Sequence, residues 1–347
     1  MSAQEKPTEG TGEGPAWKSG SNLERVLATG QFAVTGELGP PKSMDTDLVR
    51  KKIGLLKGMV DGANITDNQT GIVRLSSIAC GIILEQEGLE AIIQMTCRDR
   101  NRLAMQSDLM GASVHGIKNV LCLSGDHQSF GNHTGAKNVH DVDSMQLLRM
   151  VQEMRDLGKF QGGEDIKGGG PRMLIGTAAS PFSSPVAMRP LRLAKKVVAG
   201  ADFAQTQMIF DMPLFKEYMK RVVDMGLHEK ISILAGVGPL KSPPMARFLN
   251  DQVPGIIVPE EHIKRIEDAG KGIDSDDKPA LNAAYRAEGI KLCIEQIQEI
   301  QEIEGVAGIH VMAILWEAAI EPIVKGAGLY PRPVPEGSPT PTPGPDD

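Results

Sequence analysis

Cysteine is scarce in this chain: Cys80, Cys97, Cys122 and Cys293 are the four in 347 residues, and no two form a C-x-x-C pair. Neither a disulfide framework nor a zinc-ribbon spacing is visible. Aromatic residues are few, thirteen against seventeen methionines, so flexible thioethers rather than rings are expected to fill the core. The histidines at 115, 127, 133, 140, 228, 262 and 310 form no H-x-H or H-x-x-x-H ligand spacing, and no metal is expected. No apolar run approaches the roughly 20 residues of a membrane helix. The first twenty residues lack the apolar stretch of a secretory signal, so a cytoplasmic protein is expected. Positive charge is also short. A net charge of -7 argues against general nucleic-acid binding, which uses Lys and Arg to neutralise phosphates.

What is present is ordinary for a globular protein, with 41% hydrophobic and 23% charged residues. Residues 1–20 are polar and Gly-rich and read as a disordered tail. Residues 331–347 carry seven prolines and read the same way. Between them, short β-branched runs alternate with stretches of helical periodicity. Strands are expected at Phe32–Glu37, Ala63–Thr66, Ala91–Thr96, Asn119–Leu123, Met173–Thr177, Phe203–Gln207, Ser232–Val237 and Ile309–Ile314. Helices are expected near 44–58, 72–88, 100–114, 143–157, 187–199, 212–226, 242–250, 259–271, 279–303 and 316–327. Eight such units over residues 21–330 predict a (β/α)8 TIM barrel in one domain. A doubly wound dinucleotide fold would want G-x-G-x-x-G after its first strand, and here that strand ends in Gly-Glu-Leu-Gly-Pro-Pro.

In a barrel the residues just past each strand share one mouth. Reading them off gives Glu37, Thr66-Asp67-Asn68, Thr96-Cys97-Arg98-Asp99, Ser124-Gly125-Asp126-His127, Ala178-Ala179-Ser180, Gln207 and Gly236-Val237-Gly238. Polar groups at nearly every strand end describe a pocket with several hydrogen-bonding groups and carboxylates. Taken alone, Glu37 is as well read as a solvated loop acid, and Asp126 as a turn acid bonding its own backbone.

Five segments carry a resemblance: GELGPPKS (36–43), ANIT (63–66), QMTCRDRN (94–101), LCLSGDH (121–127) and KKVVAGADFAQTQMIFD (195–211). In this order and spacing, over roughly residues 28–328, the chain resembles the flavin-dependent methylenetetrahydrofolate reductases. The resemblance implies hydride transfer from reduced flavin to 5,10-methylenetetrahydrofolate, giving 5-methyltetrahydrofolate. It implies Glu37 as the general acid that opens the folate ring, with a pKa raised by burial. Asp126 would sit near flavin and pterin and stabilise the cationic intermediate, and Gln207 would contact folate. Thr66, Thr96, Cys97, Ser124, Gly125, Asp126 and Ser180 match positions around the flavin. Lys195 and Lys196 match residues that meet its phosphates.

The chain departs from the best-known bacterial members. Aromatic residues around the acid become Gly36, Leu38 and Gly39, and an arginine becomes Ser124. Tyr-Pro-Glu becomes Ser180-Pro181-Phe182, and Arg189 and Arg192 replace an Asp and an Asn near the adenosine half. The resemblance implies FAD as the cofactor, and this remodelling of the cofactor's distal end leaves FMN as the alternative. The variant resembles the branch found in anaerobes and acetogens, which implies NAD(P)H or an electron-donating metal-cluster partner protein as reductant. A homo- or hetero-oligomer is compatible with the sequence, which does not fix the oligomeric state. The competing readings are a folate-binding methyltransferase and a non-redox subunit of a one-carbon complex.

Overall fold

The Val-, Ile- and Ala-rich runs pair in parallel and close on themselves. In the computed structural model, which describes residues 17–334, they form a barrel in strict sequence order. The strands are β1 (Ala33–Leu38), β2 (Gly62–Ile65), β3 (Ala91–Thr96), β4 (Asn119–Leu123), β5 (Leu174–Ala179), β6 (Phe203–Met208), β7 (Ser232–Val237) and β8 (Val306–Val311). Closure comes from β1 against β8, with Ala33 opposite Gly308 and Thr35 opposite His310. The helices are α1 (Asn22–Ala28), α2 (Thr46–Leu56), α3 (Ser77–Gln86), α4 (Arg102–Val114), α5 (Ser144–Leu157) and α6 (Arg189–Val198). They continue with α7 (Met212–Asp224), α8 (Pro243–Gln252), α9 (Glu260–Asp268), α10 (Lys278–Gln301) and α11 (Ile320–Gly326). Their starts follow the local chemistry. Asp143 and Gln146 form a capping box on α5, and Ser242 caps α8 ahead of two prolines.

The main core lies between the sheet's outer face and the helices. A second cluster fills the lower barrel with Ala33, Ile92, Leu121, Leu174, Phe203 and Leu234, joined by Leu23 and Val26 of α1. Phe203 is accommodated only because its neighbour on β5 is glycine: a Cβ on Gly176 would stand 2.3 Å from the ring's Cζ. The lower half is thus packed solid, and any site must lie above it.

The expected TIM barrel is what forms, with three differences. β8 begins three residues before the expected Ile309, because Gly305 at φ +83° ends the turn after α10 and frees the chain at Val306. The apolar run merely continues past the strand into Met312–Ile314. Helix α1 had no expected counterpart; Ser21 caps it by accepting from the Glu24 N–H. Third, the flanks are packed further than their composition suggests. Backbone N–H groups of Lys18, Ser19 and Gly20, expected within the tail, donate to the Glu24 carboxylate at 2.8 Å. Arg332 donates to the buried Asp61 carboxylate at 2.6 Å and to the Phe32 carbonyl at 2.7 Å. The remaining tail residues, 1–16 and 335–347, lie outside the described residues. Among the described residues no helix is long and apolar enough to cross a membrane.

Candidate active site

Glu37 is the penultimate residue of β1, and its position is fixed from both sides. Gly36 before it is pressed against the helical layer, where an added Cβ would meet Val60 at 3.1 Å and Leu56 at 3.2 Å. Pro40 and Pro41 after it cannot continue the ladder and turn the chain toward α2. Lys52 ties this turn down, donating to the Gly39 carbonyl at 3.0 Å and to Glu317 at 2.6 Å.

Above the apolar lower barrel comes a layer of polar side chains from four strands. Asn64 and Gln205 exchange hydrogen bonds at 2.6 and 3.0 Å. Gln205 Nε2 also donates to Thr35 Oγ1 at 3.1 Å, and Thr35 Oγ1 lies 3.0 Å from His310 Nδ1. The other ring nitrogen, Nε2, faces Glu37 Oε2 at 3.9 Å. Of these groups, Gln205, His310 and Glu37 line a cavity of about 330 Å³ at the carboxyl ends of the strands. Glu37 is the one carboxylate among its lining residues, and Gln207, Ser180, Lys196, Arg192 and His310 stand around it.

The far wall is cationic and comes from α6. Lys196 donates to the Ala178 carbonyl. Burial, and then the nearby Arg192 and Arg189, lower its pKa to about 8. Arg189 is partly engaged, donating to the Ser183 and Ser184 carbonyls. Lys195 was expected beside Lys196 but is exposed on the outside of α6, because successive helical residues point about 100° apart.

The remaining expected residues gather over β2, β3 and β4 and do not line this cavity. Thr96 is held by Asp67, to which it donates from N–H and from Oγ1 at 3.0 Å each. Cys97 is fully buried in the core, and burial pushes its thiol up to about 12. It is a packing residue and offers no surface to a ligand, unlike the expectation. Thr66 has a buried hydroxyl with no hydrogen-bond partner among the described residues, which suits an incoming ligand atom. Gly125 requires glycine twice over: its φ is +87°, and a Cβ would meet Thr96 Cβ at 3.0 Å. Ser124 and Asp126 are exposed at the rim, where the Asp126 carboxylate accepts from the Thr70 N–H at 3.1 Å.

One residue escapes a reading of the sequence, and a second, read only as one of the polar strand-end groups, has a role that position did not give. His310 lay at the start of the strand expected at Ile309–Ile314, far from the mouth; the true β8 places it at the mouth end. The buried Arg98 guanidinium binds the carbonyls of Asn68 and Asp126 at 3.0 Å and the Asp99 carboxylate at 2.7 Å. It fastens three loops together beside a second cavity of about 340 Å³ lined by Asn68, Asp99, Gln128 and His133.

Comparison with known proteins places this geometry in a family. Residues 22–328 match the family model for methylenetetrahydrofolate reductase. A Caenorhabditis elegans protein named probable methylenetetrahydrofolate reductase (NADPH) is 23% identical over 272 residues, covering 76% of this chain and 36% of that protein. The 5,10-methylenetetrahydrofolate reductase of Escherichia coli is 25% identical over 238 residues, covering 66% of this chain and 72% of the relative. The chain thus spans well under half the length of its eukaryotic relative. Among solved structures, an uncharacterized protein from Clostridium thermocellum that binds two copies of 5-methyl-5,6,7,8-tetrahydrofolic acid shares the fold. It superposes with a TM-score of 0.56 at 14% identity, covering 88% of this chain and 97% of that one. The barrel, the acid at the end of its first strand and the match across 22–328 agree: the chain belongs to the methylenetetrahydrofolate reductase family.

Proposed function

We propose that the chain is a flavin-dependent methylenetetrahydrofolate reductase, converting 5,10-methylenetetrahydrofolate to 5-methyltetrahydrofolate within one barrel domain of residues 21–330. The observation that carries this reading is Glu37, the one carboxylate lining the mouth cavity, facing a cationic wall. Reduction at the methylene carbon needs the folate's five-membered ring opened first, and opening needs a proton on the departing nitrogen. A half-buried carboxylic acid at a strand end suits that step. Gln207, whose amide both donates and accepts, suits the edge of a pterin.

The family is generally flavin-dependent, and the residues present fit such a group. The unpartnered Thr66 hydroxyl, the buried Thr96 with Ser124 and Gly125 beside it, and Ser180 of the cavity wall would meet its ring system. Lys196, Arg192 and Arg189 would meet its phosphates. A bound flavin would supply the hydride. FAD is the form we assign, with FMN the competitor. Asp126 at the rim would favour the folate cation by its charge.

An anaerobic absorbance spectrum taken before and after adding methyltetrahydrofolate tests the reading. Flavin bands that bleach on addition support it. A protein that binds folate yet shows no visible bands after reconstitution with FAD and FMN would favour the methyltransferase reading instead. Replacing the folate with NADH in the same cuvette decides between a nicotinamide and a partner protein as electron source.

A further inference from the structure

Reduction by this route consumes a proton at every turnover, and Glu37 can hold one at a time. Among the described residues, one titratable side chain faces it closely enough to resupply it. His310 Nε2 is 3.9 Å from Glu37 Oε2, and the two side chains are 4% and 14% exposed. The other titratable groups lining the cavity are Arg189, Arg192 and Lys196 on α6 and Tyr218 on α7, on the opposite wall from β1 and β8.

The hydrogen bonds beneath His310 set its tautomer. Gln205 Nε2 donates to Thr35 Oγ1 at 3.1 Å, and Thr35 Oγ1 donates to the Ile309 carbonyl at 3.3 Å. The lone pair left on Thr35 Oγ1 then accepts from His310 Nδ1–H at 3.0 Å. This assignment gives every donor in the set an acceptor. It leaves Nε2 bare and turned toward Glu37. The gap is longer than a hydrogen bond and closes with a rotation of the glutamate side chain, as is common in ligand-free sites.

Resting on the reductase reading, we infer that His310 is the residue through which Glu37 is reprotonated. Glu37 gives its proton to the folate nitrogen as the C–N bond breaks, and becomes a carboxylate. Nε2 takes a proton from water in the cavity, forming an imidazolium hydrogen-bonded at both nitrogens. It passes that proton to Glu37 Oε2 and returns to the Nδ1–H tautomer. The net transfer is one proton from solvent to Glu37, with no redox change at either residue. Thr35 acts as a positioning residue by fixing which nitrogen is bare.

The test compares the first turnover with later ones in the flavin-loaded protein, with reduced methyl viologen as electron source. In His310→Ala the first turnover, using the proton already on Glu37, should stay within about two-fold of wild type. Steady-state turnover should fall roughly 10²-fold, the size of a lost acid–base group. Added imidazole should restore much of it, because a diffusible base can occupy the vacated space. Thr35→Val should slow the steady state less and in the same direction. Selective ¹⁵N-histidine NMR of the wild-type protein should show His310 as the Nδ1–H tautomer, a readout independent of activity.

Equal loss in both phases without imidazole rescue, no loss at all, or an Nε2–H tautomer would each overturn the inference. Glu37→Gln run beside it separates the two ideas. If that variant retains folate turnover the reductase reading of Glu37 fails. If it loses turnover while His310→Ala does not, only the relay fails.

Discussion

The carboxylate of Asp126 accepts a hydrogen bond from the backbone N–H of Thr70 at 3.1 Å, which joins the loop after β4 to the loop after β2. Thr70 is itself in the left-handed region, φ 58° and ψ 23°, costly for a β-branched residue and sustained by such a partner. The two acids suggested by the sequence therefore occupy different places. Glu37 lines the cavity; Asp126 sits on the rim. Asp126→Asn keeps an oxygen to accept from Thr70 and removes the charge alone. It should leave flavin affinity within a few-fold and slow the folate half-reaction by roughly 10²-fold, the usual worth of one electrostatic group at a developing charge. Rapid-mixing absorbance of flavin oxidation by methylenetetrahydrofolate measures this. A parallel loss of flavin affinity would reassign Asp126 to holding the loop.

The cationic wall gives a pH dependence. Burial and two neighbouring arginines lower the Lys196 pKa to about 8, so its charge is lost as pH rises through that value in the empty site. Flavin affinity should hold below pH 8 and weaken above it. Lys196→Met should weaken binding roughly 10–100-fold and flatten that dependence, since a charge-assisted hydrogen bond is worth about 1.5–3 kcal/mol. Fluorescence titration with FMN and FAD from pH 6 to 9.5 reads both effects. Lys195→Met, on the outer face of α6, should change neither.

The lower barrel depends on one small residue. Gly176→Ala puts a methyl group 2.3 Å from the Phe203 ring, which is fully buried in the lower cluster. Such overpacking costs about 1–3 kcal/mol. Urea unfolding should show that loss, and adding Phe203→Leu should recover part of it. Additive losses would mean the two residues do not compete for the same space.

Glu85, on α3, accepts the Ala91 N–H at 2.8 Å, and burial raises its pKa to about 7. Its folded pKa lies above its unfolded value, so its charged form is the disfavoured one. Stability linked to it is fully present below about pH 4.5 and is lost as pH rises to about 7. Glu85→Gln keeps an acceptor for Ala91 and removes the titration. Relative to this variant, the wild type should lose up to roughly 3 kcal/mol between those limits and nothing further above pH 8. Denaturation midpoints of the two proteins across pH 5–8.5 decide it; parallel curves would contradict the assignment.

The barrel was legible because its strands are buried on both faces and so read as short apolar runs, and three of them fall at their expected bounds. β8 was not, because apolarity continues past its end into Met312–Ile314, of which Met312 lines the mouth without belonging to the sheet. That shift hid His310. Glu37, Gln207 and Ser180 could be found from strand-end position alone, and Lys196, on α6, from the family resemblance. What position could not give was side-chain direction: Lys195 and Lys196 are adjacent in sequence and on different faces of α6. Nor could it tell that Cys97 turns into the core while Thr66 keeps a free hydroxyl.

The most direct measurement is the pair of half-reactions in Glu37→Gln, followed anaerobically by flavin absorbance. The amide keeps the shape of the acid and cannot protonate the folate nitrogen. Flavin binding and its reduction by dithionite should match wild type, while oxidation by methylenetetrahydrofolate should slow by roughly 10²–10⁴-fold. Oxidation at the wild-type rate would remove Glu37 from the chemistry and contradict the account.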